Sequence, residues 1–164
     1  MKKKLGCVLL IDDDEPTNYY NSLIIEETGC TDHVQVEQSG VKALEYLTNS
    51  EDCPGTSNGS PYPDLIFLDI NMPAMNGWEF LDKYRVIKKL KNKTILVMLT
   101  TSLFSEDVLK AKEIPEISGF ESKPLTHEVI DKIIKKFFAD APSFNNEAKQ
   151  KISLQFPQSP YAPI

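Results

Sequence analysis

Apolar residues in this chain come in short runs of strand length, separated by longer stretches where they recur at helical spacing. Residues 5–11, 65–70 and 94–99 are nearly continuous Val, Ile, Leu and Phe, the pattern of parallel strands covered on both faces. Residues 34–38 and 118–121 are shorter, weaker runs of the same kind. Five helices are predicted among them. Residues 16–28 place Tyr20, Leu23 and Ile24, with Tyr19 beside them, on one face and stop at Gly29. Residues 41–47 follow the cap Ser39, and residues 78–90 carry Phe80, Leu81, Tyr84 and Ile87. Residues 105–114 open on Ser-Glu-Asp and end before Pro115. Residues 126–138 start at a Thr cap and bury Val129, Ile130, Ile133, Ile134 and Phe137. Strand and helix in alternation predict an α/β fold, a doubly wound sheet with helices on both faces.

Two stretches break the alternation. Residues 49–63, rich in Gly, Pro and Ser, read as a long loop before the third strand. Residues 139–164 hold four of the eleven prolines and little periodicity, so they read as a tail rather than a second domain. The expected organisation is a domain over residues 1–138 followed by that tail. Composition fits: 164 residues, 41% hydrophobic and 26% charged, can build one core without disulfides or metals. The three cysteines form no CxxC, and reduced thiols are expected. Lys2–Lys4 followed by seven residues to Ile11 resembles a leader only briefly. The run meets Asp12-Asp13-Asp14-Glu15 with no small-residue cleavage site, and no window approaches a membrane span. A cytoplasmic protein without membrane contact is expected.

Charge changes the picture more. Eighteen bases stand against 24 acids, net −6, which disfavours nonspecific nucleic-acid binding. The acids are not spread evenly: residues 12–15 are all acidic, and residues 50–80 hold Glu51, Asp52, Asp64, Asp69 and Glu79 without one base. In an open α/β sheet, ligands bind beyond the carboxyl ends of the strands. There the first strand delivers Asp12-Asp13-Asp14 and the third Asp69 followed by Asn71-Met72-Pro73. The fourth delivers Thr100-Thr101-Ser102 and the fifth Lys123-Pro124. Crowded carboxylates repel unless one stays protonated or a cation neutralises them. Hard oxygen ligands of this kind suit Mg²⁺. With a hydroxyl and an ammonium opposite, these are the parts for phosphoryl transfer to a carboxylate.

The segments LLIDDDEP, DLIFLDINMPAMNG, ILVMLTTS and GFESKPL, in this order, strongly resemble the receiver domain of bacterial two-component response regulators, over about residues 5–138. The D-x-N-M-P-x-M-N-G segment after an apolar run is specific and the ordered set more so; an acidic triplet or a KP dipeptide alone is weak. The resemblance implies a flavodoxin-like strand order 2-1-3-4-5, with Asp69 as phosphoacceptor. It implies Mg²⁺ held by Asp12, Asp13, Asp69 and the backbone carbonyl of Asn71. Thr100 would be the switch hydroxyl, Lys123 the partner of the phosphoryl group, Phe120 the aromatic switch, and Lys123–Pro124 a cis bond. A sensor histidine kinase, hybrid kinase or phosphotransfer domain would be the donor. Output would pass to an unknown protein, to a phosphorelay or through a phosphorylation-dependent homodimer. Such a protein catalyses only its own phosphorylation and dephosphorylation, and with 26 residues after Phe138 it is expected to stand alone.

Three positions depart from the commonest pattern. Thr101 is larger than usual, Phe120 lacks the hydroxyl of Tyr, and the loop at 49–63 is long. Asp14 and Glu15 read as helix caps rather than ligands. His33 and His127 read as surface residues, and the bases from Lys83 to Lys93 as a solvated helix end. Tyr62, Phe144, Phe156 and Tyr161 read as aromatics packing tail against body. Two rivals remain: an unphosphorylated receiver-fold interaction module, and a haloacid-dehalogenase-type phosphatase. The latter needs Thr or Val where Pro16 stands, and a P-loop nucleotidase lacks its GxxxxGK[ST].

Overall fold

The computed structural model describes residues 4–50, 59–88, 94–101 and 106–138. Five strands and five helices alternate: β1 Val8–Ile11, α1 Glu15–Thr28, β2 Val34–Glu37, α2 Gly40–Asn49, β3 Leu65–Asp69, α3 Gly77–Lys88, β4 Ile95–Thr100, α4 Glu106–Lys112, β5 Gly119–Ser122 and α5 His127–Phe137. The strands form one parallel sheet in the order β2-β1-β3-β4-β5, as expected. β1 and β3 lie inside it, and every residue of both is buried. That explains their unbroken apolar runs.

Side chains alternate across the sheet and feed two cores. Val8, Leu10, Leu65, Phe67, Val97 and Leu99 pack with Ile24 and Ile25 of α1 and Ile130, Ile133 and Ile134 of α5. Leu9, Ile11, Ile66, Leu68, Leu96 and Met98 pack with Ala43 and Leu47 of α2 and Phe80, Leu81 and Tyr84 of α3. Caps fall where the sequence put them. Asp14 accepts from the Thr17 N–H, Ser39 from Lys42 and Thr126 from Val129. Gly29, at φ 65°, ends α1 in the left-handed conformation that glycine adopts without strain.

The predicted face of α1 holds only at Ile24. Tyr19 is 69% exposed, Tyr20 45% and Leu23 38%, whereas Asn18, Asn21, Ile24 and Ile25 are buried. The buried stripe still runs at three- and four-residue spacing, but two of its members are polar. Each makes one hydrogen bond to a segment of the site. Asn18 Nδ2 donates to the Asp12 carbonyl at 2.7 Å, and Asn21 Oδ1 accepts from the Leu125 N–H at 3.1 Å. A rule that counts only apolar residues rotates the helix away from those bonds.

Other expectations need adjusting. α2 runs to Asn49, so the predicted loop begins one residue late, at Ser50, whose Oγ donates to the Tyr46 carbonyl. Tyr62 is half-buried against the second core. Arg85 is no solvated base, since it reaches Asp82 and Glu116, each at 3.3 Å. His127 is no bare surface residue; its Nε2 lies 2.9 Å from Glu27 of α1, and His33 is half-buried. Cys7 and Cys30 are buried thiols, and burial pushes Cys7 up to about 11. Lys89, Lys91 and Lys93, Cys53, Ser102 and the tail at 139–164 with Phe144, Phe156 and Tyr161 lie outside the described residues. Among the described residues no helix is long and apolar enough to cross a membrane.

Candidate functional site

The carboxyl ends of β1, β3, β4 and β5 converge on one open pocket. Its walls are Asp12, Asp13, Asp14, Pro16, Thr17, Tyr20, Asp69, Asn71, Thr101, Lys123 and Pro124. Asp69 is the last residue of β3 and Asp12 directly follows β1, and both are buried. Asp13, next along, is exposed at the mouth. Carboxylate oxygens of Asp12, Asp13 and Asp69 all lie within 4.8 Å of one another. Burying charge beside charge costs stability unless a counter-charge is present. Lys123 supplies one: its Nζ sits 2.5 Å from Asp12 Oδ2 and 3.0 Å from Asp69 Oδ1. The Lys123–Pro124 bond is cis, as the resemblance implied.

Local backbone holds the acids in place. Asp12 donates its N–H to the Glu37 carbonyl of β2 at 3.2 Å, and its Oδ1 accepts from the Asp14 N–H at 2.9 Å. Beyond Asp69 the chain turns through Asn71 to Asn76, with Ala74 at φ 64°, a strained value for a residue with a Cβ. It then enters α3 through a reciprocal cap. Asn76 Oδ1 accepts from the Glu79 N–H and Glu79 Oε2 accepts from the Asn76 N–H, both at 2.9 Å. Gly77 is needed here because a Cβ would lie 2.7 Å from the Asp69 carbonyl oxygen and 3.0 Å from Ile70 Cα. The NG pair in the sequence is therefore a close approach of α3 to the strand carrying Asp69.

The charges respond to these surroundings. Burial raises the Asp69 pKa, the Asp12 charge adds to the rise, and the Lys123 hydrogen bond opposes it. For Lys123, burial works against the ammonium, but its bonds to Asp12 and Asp69 prevail and its pKa is raised. Asp14 is lowered by the hydrogen bonds it accepts from Thr17, which fits its role as a cap. Three carboxylates face one ammonium. That surplus of hard oxygen donors fits a small divalent cation such as Mg²⁺.

The residues singled out in the sequence do not all share the pocket wall. Asp12, Asp13, Asp69, Asn71 and Lys123 do. Thr100 is buried at the end of β4, and Thr101, the next residue after the strand, lines the opening. Phe120 is half-buried against the second core, away from that wall. Pro16, Thr17 and Tyr20 of α1 were not foreseen as wall residues. Their signal was position alone, within two turns of the acidic triplet.

Comparison with known proteins agrees with this geometry. Residues 8–135 match the response regulator receiver domain family. The chain is similar to the hybrid signal transduction histidine kinase L of Dictyostelium discoideum, 34% identical over 137 residues, 82% of this chain. It spans only 7% of that protein's length. It is also similar to a chemotaxis protein CheY homolog of Campylobacter jejuni, 28% identical over 75% of this chain and 85% of the relative. The crystal structure of a two component response regulator from Cytophaga hutchinsonii superposes with a TM-score of 0.73 at 34% identity, covering 84% of this chain and 99% of that one.

Proposed function

The chain belongs to the response regulator receiver domain family, and from that premise we propose that it accepts a phosphoryl group on Asp69 and signals through the resulting change of surface. The observation that carries this reading is the meeting of Asp12, Asp13 and Asp69 within 4.8 Å, with the Lys123 ammonium 3.0 Å from Asp69. An Asp69 oxygen attacks phosphorus, a P–O bond forms, and the P–N bond of a donor phosphohistidine breaks with its electron pair left on the imidazole. Burial leaves the carboxylate poorly hydrated, which favours attack. The Lys123 ammonium, already 3.0 Å from Asp69, stands ready to neutralise a phosphoryl oxygen. Mg²⁺, held by Asp12, Asp13, Asp69 and the Asn71 carbonyl, would supply further positive charge against the transferring oxygens. Water later hydrolyses the acyl phosphate, so the domain turns over only its own modification.

The donor is a sensor histidine kinase, a hybrid kinase or a phosphotransfer domain in the cytoplasm. The exposed Tyr20, which lines the pocket, and the exposed Tyr19 and Leu23 on the same helix support a protein donor, because they offer apolar surface on the helix that enters the site. After phosphorylation Thr100 turns toward the new charge and Phe120 repacks into the space released, a shift between two packings. Output passes by protein contact, phosphorelay or homodimerisation. Beryllofluoride binding, followed by ¹⁹F resonance with and without Mg²⁺, tests the reading. Binding should require Mg²⁺ and disappear in Asp69→Asn. Binding that survives this substitution, or that the parent never shows, removes Asp69 as acceptor and leaves an unphosphorylated interaction module.

A further inference from the structure

Asn18 and Asn21 stand one turn apart on the buried face of α1, at positions where the packing of the first core calls for apolar side chains. Asn18 is 3% exposed and Asn21 1%. A buried amide in mid-helix is a poor choice for stability unless its bonds are worth having. For Asn18 they are not fully made, since its Oδ1 is buried without a partner among the described residues. What the two amides do hold is specific. Asp12 donates its N–H to Glu37 of β2 and its carbonyl receives Asn18 Nδ2 at 2.7 Å. Lys123 donates its N–H to the Thr100 carbonyl of β4 at 2.8 Å, and two residues on, the buried Leu125 N–H is received by Asn21 Oδ1 at 3.1 Å. Each chemically used segment is thus pinned from the sheet on one side and from α1 on the other.

We propose that Asn18 and Asn21 are positioning residues for phosphoryl acceptance, Asn18 setting the Asp12 carboxylate and Asn21 the reach of Lys123. This rests on the reading of Asp69 as phosphoacceptor. Asp12 is a metal ligand and Lys123 is not, so the two asparagines act on different ligands. Outer residues that orient a metal ligand typically carry about 10–100-fold in metal affinity. A small misplacement of a group that must meet a reacting atom costs up to about 100-fold.

The experiment measures Mg²⁺ affinity by titration, beryllofluoride affinity at saturating Mg²⁺, and hydrogen exchange of the Leu125 amide, in the full chain and in Asn18→Leu and Asn21→Leu. Asn18→Leu should weaken Mg²⁺ by about tenfold. Asn21→Leu should leave Mg²⁺ within about twofold, weaken beryllofluoride by about tenfold, and speed exchange at Leu125. Asn18→Ser and Asn21→Ser, which shorten the side chain without adding an apolar one, carry the same expectations and replace a leucine variant that does not fold. Unchanged affinities in both variants overturn the proposal. So does an equal loss of both ligands in both variants, tracking lost urea stability, because a purely structural role predicts that. A parent that binds no beryllofluoride overturns the acceptor reading itself and this inference with it. A parent that binds normally beside unaffected variants overturns the positioning role alone.

Discussion

At Asp69, burial and the Asp12 charge raise the pKa while Lys123 opposes the rise; at Lys123, bonds to the same two acids overcome burial and raise it as well. The two shifts have opposite consequences for stability. An acid raised in the folded state is protonated both folded and unfolded below about pH 4, where it costs nothing. As pH rises through the folded value, the folded protein holds a charge the unfolded chain carries more easily, so stability is lost and stays lost at neutral pH. A raised lysine loses stability in the same direction but at higher pH, so at neutral pH it stabilises the fold. Its contribution is complete below its unfolded value of about 10.4 and disappears only as pH climbs through the folded one. Without Mg²⁺ at pH 7, Asp69→Asn should therefore raise the free energy of unfolding by about 1 kcal/mol, and the gain should shrink toward pH 4. Lys123→Met should lower it by about 2 kcal/mol, because three carboxylates then face one another alone. Urea melts at pH 7 and pH 4.5 check both; changes of the same sign would contradict the charge balance described. Both residues were legible in the sequence as strand-end polar groups. The bond of Lys123 to Asp12 was not, because it crosses more than a hundred residues of chain.

Among the elements, α3, α5 and the inner strands β1 and β3 were readable because one rule governed each. Continuous apolar runs marked β1 and β3, and Phe80, Leu81, Tyr84 and Ile87 at helical spacing marked α3, whereas its Asn76–Glu79 cap was not singled out. α1 was not readable in this way, because two rules compete there. Its burial follows the hydrogen-bond needs of the site, and the sequence signal follows hydrophobicity. Tyr19 and Leu23 are left outside while Asn18 and Asn21 go in. The predicted face and the observed face can be separated by substitution. Ile25→Ala, at a fully buried position the sequence did not single out, should cost about 3 kcal/mol of unfolding free energy. Tyr19→Ser should change it by no more than about 0.5 kcal/mol. The same Tyr19 variant should slow transfer from a phosphohistidine protein while leaving phosphorylation by acetyl phosphate at the parent rate, since only the protein donor is large enough to cover α1. A slower reaction with both donors would place the effect in the pocket instead of on its rim.

Across the whole molecule, net charge conceals polarity. Four consecutive acids at residues 12–15 and Asp69 are delivered to one end of the sheet, where among the described residues Lys123 is the ammonium that meets them. The fold brings those strand ends together whether or not their charges attract, because β1 and β3 are fixed by buried apolar runs on both faces. Packing energy thus holds repelling carboxylates in place, and a cation that binds only the folded arrangement recovers part of that loss. A ligand at about 100 times its dissociation constant adds about 2.7 kcal/mol to folding. For a domain of this size that corresponds to roughly 5–10 °C in the thermal midpoint. MgCl₂ should produce such a rise, and NaCl at matched ionic strength should produce a small fraction of it, because screening does not need three oxygens at one point. Asp13→Asn isolates the cause: Asp13 is exposed, so its loss should barely move the midpoint without Mg²⁺, yet it should remove most of the Mg²⁺-dependent rise. A rise that NaCl reproduces, or that Asp13→Asn keeps, would mean the acids are relieved by ionic atmosphere and that no ion is gathered at the strand ends.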